Sequence, residues 1–177
     1  MDTARTEFEN YKKLGLKRDM SRGKPCPAQL KFSTPMHSIL QNEEDFLCED
    51  GMDSRNYGDL GGIPEAKKLM GELVKEDPEN VIVCGNSSLH LMYDCVSRYM
   101  YFGAQGSKPW YMNESVKWIC PVPGYDRHFS VTQEFGIEMI PVPLKNDDLD
   151  YEKIAEIVAY SPQVKGIWLI PQYSNPS

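Results

Sequence analysis

The sequence predicts an α/β fold, a mainly parallel sheet flanked by helices, preceded by an N-terminal segment that belongs to a smaller part of the molecule. Three observations carry this. Beyond residue 55 short apolar runs alternate with segments of helical periodicity, the pattern of a parallel sheet covered by helices. Apolar-rich segments at 81–84, 116–120, 137–142 and 164–170 have the length and composition of strands. Turn residues stand just after several of these runs, where open α/β sheets gather ligand sites. No internal repeat or low-complexity segment interrupts the pattern.

The elements follow in order. A polar helical stretch around 6–14 leads into Asp19-Met20-Ser21-Arg22-Gly23-Lys24-Pro25-Cys26-Pro27, whose glycine and prolines force an irregular loop. Residues 1–54 cannot form a core alone, which places a boundary near 54/55. Ala66, Leu69, Met70, Leu73 and Val74 have helical spacing, with Pro64 suited to the first turn. After the run at 81–84, the turn Gly85-Asn86-Ser87-Ser88 opens a helix with Leu89, Met92, Val96, Tyr99 and Met100 on one side, ending near Gly103. Tyr151, Ile154, Ala155 and Val158 mark another amphipathic helix, started by Asp148 or Asp150.

Composition narrows the function. The 177 residues, 41% hydrophobic, suffice for a real core. A net charge of −7 and no Lys/Arg cluster argue against a nucleic-acid groove. The five cysteines are widely spaced with no CxxC pair, the usage of reduced, mostly buried thiols, and no metal site is expected. No apolar run approaches the ~20 residues of a membrane helix and the start lacks a signal-peptide core, so the cytoplasm is the expected compartment.

Three segments carry chemistry. Asn86, Ser87 and Ser88 stand where a helix start exposes backbone N–H groups, which suits either an anion such as phosphate or ordinary helix capping. There is no GxxxxGK[ST] and no GxGxxG, so a nucleotide site has no support. Pro121-Val122-Pro123-Gly124-Tyr125-Asp126-Arg127-His128 follows a strand: Tyr125 can stack on a flat ring, and His128 falls on the same side of the next helical turn. Either residue also reads as purely structural. Arg55-Asn56-Tyr57-Gly58-Asp59-Leu60-Gly61-Gly62-Ile63-Pro64-Glu65 reads locally as a turn and helix start. Finally, the run Gly166-Ile167-Trp168-Leu169-Ile170-Pro171 leads into Tyr173-Ser174-Asn175-Pro176-Ser177.

In order and in type, these segments resemble the class I, fold type I pyridoxal-phosphate aminotransferases. They are most similar to the aspartate aminotransferase subgroup with Ser-Arg-Gly-Lys-Pro, Asn-Tyr-Gly, Ser-Ser-Leu, Pro-Val-Pro-Gly-Tyr-Asp-Arg-His and Asn-Pro motifs. The resemblance covers nearly the whole chain. It implies part of the large, cofactor-binding domain at 55–177, with a small-domain segment and arm at 1–54. It implies that Gly23, with Arg22 beside it, meets the substrate carboxylate, and that Tyr57 reaches across a homodimer to the partner subunit's cofactor phosphate. Asn86, Ser87 and Ser88 would form the phosphate cup and Tyr125 the stacking ring. His128 matches the histidine supporting the aspartate under the pyridine nitrogen, and Asn175 the asparagine on the cofactor's phenolic oxygen. Ser177 replaces the usual threonine and keeps the hydroxyl.

The same resemblance puts the Schiff-base lysine, the ring aspartate, its tyrosine and the main carboxylate-binding arginine beyond Ser177. No catalytic residue is therefore assigned within the chain, and Lys117, Lys145 and Lys165 read as solvated surface charges. The expectation is a truncated front portion of an enzyme that does not turn over alone, with an unpaired strand near its end. The full-length protein is expected to transfer an amino group between aspartate or another amino acid and a 2-oxo acid. The alternatives are a lyase or decarboxylase on the same fold, or a non-catalytic ligand-binding module. A module fused to a DNA-binding domain is disfavoured, because residues 1–54 show neither the charge nor the helix-turn-helix pattern it needs.

Overall fold

A computed structural model describes residues 2–17 and 23–176. Arg22, residues 19–21 of the expected loop, and Ser177 lie outside the described residues. The chain forms two compact units, Met1–Val83 and Cys84–Ser177.

In the first unit, helix α1 (Asp2–Lys13) has every side chain described from Thr3 onward exposed to solvent. The short α2 (Pro27–Leu30) carries Pro27 in its first turn, and 3₁₀ segments follow at Lys31–Ser38 and Glu43–Phe46. Helix α3 (Pro64–Val74) begins at Pro64, whose fixed φ and missing N–H suit a first helical position. Among the described residues of this unit only Cys48 and Gly71 are buried. Its order rests on polar contacts: the Arg55 guanidinium pairs with Asp53 (2.6 Å) and Glu43 (2.7 Å) and lies 4.5 Å from the Phe46 ring centre.

The strand expected at 81–84 does not form. The Val83 N–H donates to the Gly61 carbonyl (2.8 Å), but Ile82 is 73% exposed and no ladder continues from that single rung. An apolar tetrapeptide has the composition of a buried strand, yet without a neighbouring strand to pair with it remains extended chain.

The second unit is the α/β part. Helix α4 (Ser88–Phe102) ends at Gly103, and strand β1 (Lys117–Val122) follows a 3₁₀ turn at Trp110–Met112. Then come α5 (Asp126–Glu134), β2 (Glu138–Pro143), α6 (Tyr151–Tyr160) and β3 (Val164–Ile167). Of the two aspartates proposed to start α6, Asp150 is the cap: its carboxylate accepts from the Lys153 N–H at 3.0 Å.

The sheet is three-stranded and wholly parallel, in the order β2-β1-β3. Trp118 faces Met139 on one side and Gly166 on the other. Trp118, Ile119 and Cys120 are all buried, which explains the unbroken apolar run of a central strand. Trp118 and Cys120 join Val96, Trp110, Val116, Val131 and Ile137 in the core, while Ile119, 1% exposed, alternates away from that cluster. Burying an isoleucine so completely contributes about 1.5–3 kcal/mol.

Strand β3 stops at Ile167 rather than Ile170, although the Trp168 N–H still donates to the Ile119 carbonyl (3.1 Å). A register shift at Lys117/Trp118 interrupts the β1–β3 ladder, and Leu169, 44% exposed, has already left the sheet.

Two glycines make this packing possible. A Cβ at Gly166 would lie 2.4 Å from Trp118 Cη2, so the indole crosses β3 only where a side chain is missing. A Cβ at Gly124 would lie 2.5 Å from the Pro121 carbonyl oxygen and 2.6 Å from Phe129 Cζ, so the turn from β1 into α5 is closed to any larger residue.

Candidate cofactor site

From β1 the chain crosses to β2, and from β2 it returns over the sheet to β3 on the far side of β1. The strand order therefore reverses between β1 and β3, and a crevice opens beyond their carboxyl ends. A cavity of about 350 Å³ there is lined by Ser88, Met92, Tyr125, His128, Leu169, Ile170, Pro171 and Asn175. Its size falls within the ~300–1,000 Å³ of small-molecule sites.

Each polar group is delivered by a different element. Ser87 is the N-cap of α4, its hydroxyl accepting from the His90 N–H at 3.4 Å, and Ser88 is the first helical residue and faces the cavity. The helix start thus presents a hydroxyl beside unpaired N–H groups at the positive end of a 15-residue helix. Tyr125 is the N-cap residue of α5, and the His128 N–H donates back to its carbonyl at 3.1 Å. That turn brings the Tyr125 and His128 rings to 5.3 Å, nearly perpendicular, as their spacing predicts. Asn175 enters from the segment after β3, its side chain exposed.

His128 is 6% exposed, and burial pushes its imidazole below the ordinary histidine range, so it is held neutral at physiological pH. A second cavity of about 560 Å³ shares Tyr125, His128 and residues 169–171 and extends past Trp168 toward Asp147 and Asp148.

Four of the sequence-derived candidates, Ser88, Tyr125, His128 and Asn175, therefore meet in one cavity. Ser87 stands beside it as a cap, and Asn86 is exposed and outside its lining. Tyr57, 99% exposed, and Gly23, also exposed, belong to the first unit and line neither cavity. Lys117 pairs with Glu138 (3.1 Å), Lys145 with Glu152 (3.3 Å), and Lys165 donates to the Pro162 carbonyl (2.9 Å); none lines a cavity. Met92 and residues 169–171 are not among the site residues expected from the sequence. The position of 169–171 just past a parallel strand was the available signal, and Met92 lies one helical turn beyond Ser88.

The donor set fits pyridoxal phosphate. The cavity combines a helix start for a phosphate, a half-buried phenol ring for a flat heterocycle, a neutral imidazole and a free carboxamide. Among the described residues no group of His, Cys, Asp and Glu could hold a metal ion, and no helix is long and apolar enough to cross a membrane.

This parallel sheet with flanking helices is that of the fold type I aminotransferases. The kynurenine aminotransferase of Pyrococcus horikoshii superposes with a TM-score of 0.60 at 17% identity, over 97% of this chain and 41% of that one. The aspartate amino-transferase family model matches residues 1–177, and the chain belongs to that family. It is 45% identical over 172 residues to the aspartate aminotransferase of Corynebacterium glutamicum, covering 97% of this chain and 39% of the relative. A solved aspartate transaminase from the same species superposes with a TM-score of 0.86 at 44% identity, over 98% of this chain and 41% of that one. The chain thus spans about two fifths of the length of the relatives it matches.

Proposed function

We propose that the full-length protein is a pyridoxal-phosphate-dependent aminotransferase acting between an amino acid, aspartate foremost, and a 2-oxo acid. The convergence of Ser88, Tyr125, His128 and Asn175 on one cavity at the strand ends carries this reading. The name of the Corynebacterium glutamicum relative supports aspartate as donor. When bound, the cofactor supplies an electron-withdrawing ring that stores the electron pair released at the substrate's α-carbon.

The chain's own residues bind and orient. Ser88, with Ser87 and Asn86 beside it, holds the phosphate at the start of α4, where the helix dipole favours an anion. Tyr125 stacks on the ring face, and the Asn175 amide donates to the phenolic oxygen. His128, held neutral by burial, supports the group that keeps the ring nitrogen protonated. Gly23 and Arg22 meet the substrate carboxylate. Tyr57, fully exposed in this chain, completes the phosphate site of a partner subunit in a cytoplasmic homodimer.

The test is to incubate the full-length protein with pyridoxal phosphate, aspartate and 2-oxoglutarate. Glutamate and oxaloacetate should form in equal amounts. Release of carbon dioxide from aspartate without glutamate would instead identify a decarboxylase. Replacing Asn175 with Ala should weaken cofactor binding by roughly tenfold to a hundredfold, the range for losing a hydrogen bond to a charged group. Tyr57→Phe should weaken it in the dimer, and unchanged affinity there would remove Tyr57 from the site.

A further inference from the structure

The apolar stripe of helix α4 serves two ends. Val96, 2% exposed, belongs to the core of the second unit, and Met100 packs against that core. One turn nearer the helix start the stripe leaves the core: Met92 is half-buried and lines the smaller cavity together with Ser88, Tyr125, His128 and Asn175. A methionine in such a stripe ordinarily fills a core, a role that Met100 takes here. Met92 instead borders the space on which the polar candidates converge.

Its position matches the shape of the ligand. Ser88 and Met92 are four residues apart on one helix, so they lie on the same face about one 5.4 Å turn from each other. In pyridoxal phosphate a methylene carbon and an ester oxygen join the ring to the phosphorus, a link comparable in length with one helical turn. With the phosphate held at Ser88, a ring lying along the cavity therefore reaches the level of Met92.

The wall facing α4 is held by packing. Leu169, Ile170 and Pro171 follow Trp168, whose backbone N–H is bonded to the Ile119 carbonyl at 3.1 Å. Its indole stands in a row of rings: Trp110 and Trp118 at 6.1 Å, Trp118 and Trp168 at 4.9 Å, Trp168 and His128 at 5.5 Å. Among the residues that line the cavity, Met92 supplies the unbranched, adaptable apolar side chain, and a polarizable thioether packs favourably against an aromatic ring.

We propose that Met92 is a cofactor-contacting residue, whose thioether forms the adaptable apolar wall against the ring of pyridoxal phosphate while Ser88, one turn earlier, holds the phosphate. This rests on the cofactor-site reading and adds to it a residue that recognises the ring rather than the anion.

The experiment uses full-length protein stripped of cofactor, titrated with pyridoxal phosphate and, separately, with inorganic phosphate. Met92→Ala should bind pyridoxal phosphate roughly tenfold more weakly, the order expected for losing part of an apolar contact, and should bind inorganic phosphate as wild type does. Met92→Leu, which restores the volume, should bind pyridoxal phosphate within about threefold of wild type. A second measurement needs no variant. Hydrogen peroxide transfers one oxygen atom to a thioether and is itself reduced to water, and peptide mass spectrometry locates the sulfoxide at Met92. Saturating pyridoxal phosphate should slow its formation severalfold in wild type, and inorganic phosphate should leave the rate unchanged.

Unchanged affinity for pyridoxal phosphate in Met92→Ala, equal weakening of both ligands, or an oxidation rate that pyridoxal phosphate leaves unaltered would each overturn the inference. Wild type that binds no pyridoxal phosphate would refute the proposed function itself. Wild type that binds it while Met92 behaves in any of those three ways would leave that function standing and remove Met92 from the site.

Discussion

At the scale of single residues, burial makes His128 sensitive to acid. Its folded-state affinity for protons is lowered by desolvation, so below the ordinary value of 6.5 the unfolded chain takes up more protons than the folded one. Stability should therefore be complete above that value and fall as the pH drops below it. Denaturant titrations across pH 5 to 8 should show this slope in wild type and a flatter one in His128→Gln. Asp53 has the same sign at lower pH. Its hydrogen bonds from the Arg55 side chain hold it down at about 2 against an ordinary 3.8, so its contribution is present above 3.8 and disappears as the pH falls through 2. Both carboxylate and guanidinium are substantially exposed, and the contribution is correspondingly small. Residue type and spacing were enough to nominate Tyr125 and His128, because one helical turn joins them. Trp168 was hidden for the opposite reason: its contacts lie in other elements, and nothing in a strand pattern says which ring will rest on a distant histidine.

Among the elements, β1 and its two neighbours determine where the cavity opens, and their packing tolerates little change. Gly166→Ala would drive a methyl into the Trp118 ring at 2.4 Å, and should destabilise the protein by about 1–3 kcal/mol, the usual cost of overpacking. Ile119→Val, at the 1%-exposed centre of the sheet, should cost about 0.5–1.5 kcal/mol in the same denaturation experiment. Losing the carboxylate cap of α6 through Asp150→Ala should cost about 1 kcal/mol. Periodicity predicted α3, α4 and α6 close to their observed limits because Pro64, Gly103 and Asp150 mark the ends chemically. It failed at 81–84, where hydrophobicity is visible in the sequence but the absence of a pairing partner is not. It also overran β3 by three residues, since Trp168-Leu169-Ile170 stays apolar after the ladder has ended.

For the molecule as a whole, order is unevenly distributed between its two units. The first keeps one buried hydrophobic residue among those described, Cys48, and leans on ion pairs, whereas the second holds the rest of the buried core and the cavity. Thiol chemistry should register this burial: Cys48 and Cys120 should resist alkylation until the protein unfolds, the latter all the more because burial pushes its thiol up to about 11. Residues 55–83 carry helix signals that give no hint of how little they bury. The tryptophans follow the same division. Trp110, Trp118 and Trp168 are the chain's three, all in the second unit and all in the row of rings that ends at His128. Tryptophan fluorescence of this chain is consequently a local signal. Its emission will report solvent entry or ligand arrival at the cavity, while loosening of the first unit will pass unseen by that probe and must be followed by another.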